Sequence, residues 1–160
     1  CLVEDVQAGL LDLAVLSLPI ANPDLVCSEL FREDLFLAVG KSHPFARKKI
    51  VGLKELALER LLLLREGHCF RENVMTACTR ANAEVKSVFE TDQLGSIFPL
   101  VASGFGITLV PAMAATCATG CVIVPVSPSS VRRVGYIRSR RHFVGKPMRA
   151  FVQWLKAGIR

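Results

Sequence analysis

Beyond Asp92 this chain has no acidic side chain, although nine of its 20 basic residues lie there. Residues 93–160 therefore offer no paired carboxylates for general acid–base work. The cations of that stretch, Arg132, Arg133, Arg138, Arg140, Arg141, Lys146, Arg149, Lys156 and Arg160, form either a nucleic-acid surface or a solvated face that meets acidic surface elsewhere. Aromatic residues are scarce, at 7% with one Trp and one Tyr. No stacking motif, helix-turn-helix or zinc finger accompanies the cations, so this stretch alone is expected to bind DNA weakly and without sequence preference. No apolar run approaches the ~20 residues a membrane helix needs, and no basic-then-apolar leader is present. A soluble, cytoplasmic protein without a membrane partner is expected. No Gly-x-Ser-x-Gly elbow occurs, and Gly104-Phe105-Gly106 lacks the third glycine of a dinucleotide fingerprint. Cys117 and Cys121 resemble half a metal site, but no second Cys/His pair follows at zinc-like spacing, so neither metal nor cofactor is expected.

What the chain does have is enough apolar material for a core, with 160 residues of which 51% are hydrophobic. Six cysteines in so core-rich a chain do not make the dense framework of a small secreted domain, which favours reducible thiols. The opening Cys1-Leu2-Val3-Glu4-Asp5-Val6 reads as the interior of a helix, so further sequence upstream is expected. Hydrophobic periodicity predicts helices over 3–10, 53–58, 70–81, 92–103 and 146–160, with Pro99 kinking the fourth and Gly104 ending it. Strands are predicted over 13–18, 25–31, 34–40, 60–64, 85–89, 107–110, 122–126 and 133–137. This alternation implies an α/β sheet with helices on its faces.

Cys69 and Cys78 stand nine residues apart in Gly67-His68-Cys69-Phe70-Arg71-Glu72-Asn73-Val74-Met75-Thr76-Ala77-Cys78. A helix from Phe70 onward would put the second sulfur about 180° round and roughly 13 Å along from the first. A disulfide needs Cα atoms roughly 4.4–6.8 Å apart, so bonding would require the first turns to unwind. Such a bond is a candidate switch. Gly67 breaks the preceding leucine run, which sets Cys69 at a helix start where free N–H groups and the helix dipole favour a thiolate. Arg65, His68 and Arg71 add possible positive charge, whereas Cys78 has no flanking base and suits a resolving role. Alternatively both are small core hydrophobes.

The Gly67-His68-Cys69 motif with its second cysteine nine residues on resembles the peroxide sensors of the OxyR-like branch of the LysR-type transcription regulators. Phe89-Glu90-Thr91-Asp92, Val101-Ala102-Ser103-Gly104-Phe105-Gly106-Ile107-Thr108-Leu109-Val110-Pro111 and Ala8-Gly9-Leu10-Leu11-Asp12-Leu13-Ala14-Val15 are similar to LysR-type effector-domain segments. Residues 35–44, ending in His43-Pro44, add a fourth match, so nearly the whole chain is covered. The resemblance implies a periplasmic-binding-protein-like (type II) α/β effector domain, in which two Rossmann-like subdomains are joined by crossover strands. Subdomain I would comprise 1–31 and 134–160, lacking its opening strand and most of its first helix. Subdomain II, 32–133, would carry both redox cysteines.

The resemblance also implies the chemistry. Hydrogen peroxide would oxidise Cys69 to a sulfenic acid, and Cys78 would condense with it to a disulfide. Glu72, where the family pattern has Asp, would relay a proton, and Arg133, with Arg132 next to it, matches an arginine set against the sensing cysteine. His68 would tune that cysteine or bond to backbone. The threonines that help hold peroxide in the family would fall upstream of Cys1. Thr91, Asp92 and Thr108 occupy effector-cleft positions, where a hydroxyl also commonly caps backbone. The implied assembly is a homodimer or tetramer that reaches DNA through an N-terminal helix-turn-helix outside this chain. RNA polymerase and a thiol reductant system are the other implied partners. The expectation is a sensor and not an enzyme; a domain gated by a small organic effector is the alternative, and a thiol peroxidase a third reading.

Overall fold

The computed structural model describes residues 1–158, with Cys69 described in its backbone only. The chain forms two compact units. Unit 1 comprises Cys1–Arg32 and Arg133–Arg160, and unit 2 comprises Glu33–Arg132. Both boundaries fall within strands, so β2 (Leu25–Gly40) and β8 (Val131–Ser139) carry the chain from one unit to the other.

In unit 1, α1 (Leu2–Gln7) leads into β1 (Ala14–Leu18), which pairs antiparallel with β8 from Ala14 opposite Ile137 to Leu18 opposite Arg133. Val6, Leu16, Leu25, Val134 and Ile137 are buried there. The closing helix α5 (Lys146–Ala157) ends within the segment expected to be helical to 160, of which Ile159 and Arg160 lie outside the described residues.

Unit 2 holds the larger core. Its half of β2 pairs antiparallel with β6 (Thr108–Pro111) and with β7 (Cys121–Ser127), and the short β3 (Val51–Gly52) pairs parallel with β7. The four leucines of β4 (Leu61–Leu64) are all buried, as an uninterrupted apolar run requires when both faces of a parallel strand are covered. β4 pairs parallel with β5 (Ser87–Thr91) on one side, and on the other Leu62 donates its N–H to Ile107 at 2.8 Å. Gly106 makes that approach possible: a Cβ there would meet the Arg60 carbonyl oxygen at 2.4 Å. Helix α3 (Leu94–Ala102) accommodates Pro99 in its interior, and Gly104 follows at φ +81° as its left-handed terminator. The one-turn α4 (Ala112–Ala115) links β6 to β7.

Two expectations change. The segment 53–58 is a 3-10 helix and not an α-helix. The strands expected at 25–31 and 34–40 are one 16-residue strand, β2. The charged Arg32-Glu33 dipeptide separates the two expected strands, but Glu33 is buried in an ion pair with Arg132, which lets the strand continue. Three cations of the acid-free segment meet carboxylates from earlier in the chain: Arg132 with Glu33, Arg133 with Glu29 and Arg141 with Asp24. Among the described residues no helix is long and apolar enough to cross a membrane.

Candidate functional site

Helix α2 (Cys69–Arg80) begins at Cys69 and contains both cysteines of the candidate pair. Its start is set by the preceding turn. Gly67 takes φ +85°, a left-handed conformation that a side chain would strain. His68 is the N-cap in extended backbone, and its side chain makes no capping bond, so the positive end of the helix dipole at Cys69 is not offset by a cap.

The helix packs by one stripe. Phe70, Val74, Ala77, Cys78 and Ala81 are buried, which is the i, i+4, i+7, i+8 pattern of a core-facing surface. Cys78 is fully buried, and that burial pushes its thiol up to about 11. As it stands in the fold, Cys78 is a poor nucleophile at neutral pH. Nine residues of continuous helix separate the two cysteines, a rise of roughly 13 Å where a disulfide tolerates at most roughly 6.8 Å between Cα atoms. They cannot bond while α2 is intact. The side chain of Cys69 lies outside the described residues.

Two of the charges expected around the helix start, Arg71 and Arg65, are engaged. Arg71 donates to Glu90 at 2.6 Å and to the Leu64 carbonyl at 2.9 Å, which ties the first turn of α2 to β4 and β5. Arg65 pairs with Asp92 at 3.2 Å, both exposed. Glu72 is exposed in the first turn. Arg133 lies in unit 1, where it pairs with Glu29 at 3.6 Å. Its neighbour Arg132 is the one that unit 2 brings to α2, with its guanidinium 5.4 Å from the centroid of Phe70, next to Cys69.

The hydroxyls expected in an effector cleft serve backbone. Thr108 is 1% exposed and donates to the Leu62 carbonyl at 2.8 Å. Thr91 accepts from the Gln93 N–H at 3.4 Å, at the turn into α3. Cys117 is exposed, while Cys121 is half-buried with its thiol pushed up by burial. Among the described residues no group of three or more His, Cys, Asp or Glu side chains is placed to hold a metal.

Sequence reasoning passed over Glu33. Its carboxylate accepts from Arg132 at 2.6 Å and, through its other oxygen, from the Met113 N–H at 2.9 Å. The signal was a pair of carboxylates, Glu33-Asp34, entering the apolar run Leu35-Phe36-Leu37, where a carboxylate requires a partner once buried.

Comparison with known proteins identifies the family of the fold. The family model of the LysR substrate binding domain matches residues 2–160. The DNA-binding transcriptional dual regulator OxyR of Escherichia coli is 32% identical over 163 residues, covering 99% of this chain and 52% of that protein. A hydrogen peroxide-inducible genes activator of Pectobacterium carotovorum is 36% identical over 112 residues, covering 70% of this chain and 37% of that protein. The chain thus spans about half, or less, of the length of these relatives. Among solved structures, the reduced OxyR regulatory domain from Pseudomonas aeruginosa superposes with a TM-score of 0.82 at 29% identity, covering 99% of this chain and 77% of that one. The effector binding domain of QuiR in complex with shikimate has a TM-score of 0.88 at 18% identity, covering 98% and 75%, a likeness of fold alone. The fold is the type II periplasmic-binding-protein-like α/β fold. With a family match over nearly its whole length, the chain belongs to the LysR substrate binding domain family, as an OxyR-like effector domain of a LysR-type regulator.

Proposed function

We propose that this domain senses hydrogen peroxide through a reversible disulfide between Cys69 and Cys78. The observation that carries the reading is the placement of both cysteines on one helix, the first at its uncapped start and the second fully buried nine residues later. Two relatives that share this domain are named for peroxide-inducible genes or as OxyR, which supports the same reading.

In the proposed reaction the Cys69 thiolate attacks one peroxide oxygen. The O–O bond breaks, Cys69 becomes a sulfenic acid, and the departing hydroxide takes a proton to leave as water. Glu72, in the first turn of the same helix, is the proposed proton relay, and His68 at the N-cap is proposed to tune the thiol. Unwinding of the first turns of α2 then lets Cys69 reach Cys78, near the end of the helix. Its sulfur displaces the sulfenic hydroxyl, a second water leaves, and the two thiols have given two electrons to one peroxide. Reduction by a cellular dithiol would return the helix. Arg133, the other residue expected beside the cysteine, pairs with Glu29; of the two arginines, the contact with Phe70 favours Arg132.

The wider assignment follows from the same reading. The domain would act as a homodimer or tetramer in the cytoplasm, couple to DNA through a helix-turn-helix elsewhere in the protein, and engage RNA polymerase. A small organic effector bound near Thr91, Asp92 and Thr108 is the competing reading. Thiol counting during peroxide titration separates them. A sensor loses two thiols for about one equivalent of peroxide and then stops, a small-effector domain loses none at that excess, and a thiol peroxidase continues to consume peroxide when supplied with reductant.

A further inference from the structure

The first turn of α2 carries an aromatic ring whose face is occupied. The Arg132 guanidinium lies 5.4 Å from the Phe70 centroid, within the range of a cation–π contact. The guanidinium is held by Glu33, whose Oε1 accepts from Nε and lies 2.6 Å from Nη2. Glu33 is in turn anchored by the Met113 N–H at 2.9 Å. The pair is largely buried, with side-chain exposures of 16% for Arg132 and 5% for Glu33. A carboxylate so buried fixes the plane of the guanidinium, because a charge-assisted bond of this kind leaves it little rotational freedom.

We infer that Arg132, oriented by Glu33, is a positioning residue that stabilises the helical first turn of α2 through Phe70 and thereby sets the redox equilibrium of the cysteine pair. This inference rests on the disulfide proposed above. Phe70 is adjacent to Cys69, and a Cys69–Cys78 bridge requires this turn to unwind. Unwinding carries the ring off the guanidinium, so the contact is made in the dithiol state and lost in the disulfide state. Only a contact that differs between two states can bias their equilibrium. Glu33 and Arg132 are also the first and last residues of unit 2, at the points where β2 and β8 leave it.

The test is the disulfide-to-dithiol ratio of the protein in glutathione redox buffers, read by mass-mapped thiols. Each protein disulfide formed consumes one glutathione disulfide and releases two glutathione thiols, so the ratio reports the equilibrium directly. Arg132→Lys keeps the charge that pairs with Glu33 but removes the planar face. It is expected to shift the ratio about fivefold toward the disulfide. In a Phe70→Leu background the same substitution should shift it less than about twofold, since the stacking partner is gone. Glu33→Gln, which preserves size, should shift the ratio in the same direction and serves if Arg132→Lys folds poorly. An equal shift in both backgrounds, or none in either, overturns the inference while leaving the disulfide itself in place. A wild-type protein that forms no Cys69–Cys78 bridge in these buffers overturns both.

Discussion

Cys78 shows how burial alone assigns a role to one side chain. Its thiol is pushed from 9.0 up to about 11 by desolvation, so the folded chain holds this proton more tightly than the unfolded chain does. Because only the unfolded thiol ionises between about pH 9 and 11, folding stability falls over that range, by roughly 2–3 kcal/mol. Urea unfolding of the reduced protein against Cys78→Ala, at pH 8 and pH 11, should therefore show the difference between the two narrowing at the higher pH. Thr108 illustrates the opposite assignment. Its hydroxyl serves the Leu62 carbonyl inside the core, and Thr108→Val is expected to cost about 1 kcal/mol in urea unfolding while leaving the rate of peroxide reaction unchanged. The Gly67-His68-Cys69 motif and the nine-residue spacing were legible as sequence, because they are local. The Glu33–Arg132 pair was not. Its members are 99 positions apart, and a charge beside a strand looks the same in sequence whether it is solvated or paired.

Elements were legible where one local signal dominated. The turn at Gly67 and the apolar stripe from Phe70 to Ala81 gave α2 to within one residue at either end, and the leucine run gave β4. β2 was misread as two strands because the tertiary partner of Glu33 overrides a local break signal. The 3-10 turn over Leu53–Leu58 was misread because six residues are too few for periodicity to separate the two helix types. Cys78→Ser should leave Cys69 reactive toward peroxide but strand it as sulfenic acid or carry it on to sulfinic acid, whereas Cys69→Ser should abolish the reaction. Trapping sulfenic acid with a dimedone probe reads the difference. Probe incorporation that is equal in wild type and Cys78→Ser at about one equivalent of peroxide, before sulfinic acid forms, would remove Cys78 from the resolving role.

At the scale of the whole molecule, the fold class was legible from the alternation of elements and from the LysR-type segments spread along the chain. That late bases could meet earlier acids was one of two readings of the charge pattern, but which residues pair was not legible, since it depends on which strands lie side by side. Signalling requires a local bond to alter something larger, and the account places that change in subunit pairing. Sedimentation of reduced and oxidised protein should show a homodimer in both states with a changed coefficient or dissociation constant on oxidation. Monomers under both conditions at high micromolar concentration would count against it.

The central claim is that the bridge forms at the expense of the helix. A crystal structure of the peroxide-oxidised protein, with its disulfide assigned by peptide mapping, tests this most directly. The account predicts a Cys69–Cys78 bond with at least the first turns of α2 unwound around it. A bond between these cysteines with the helix intact, or peroxide consumption that leaves them unbonded, would contradict it.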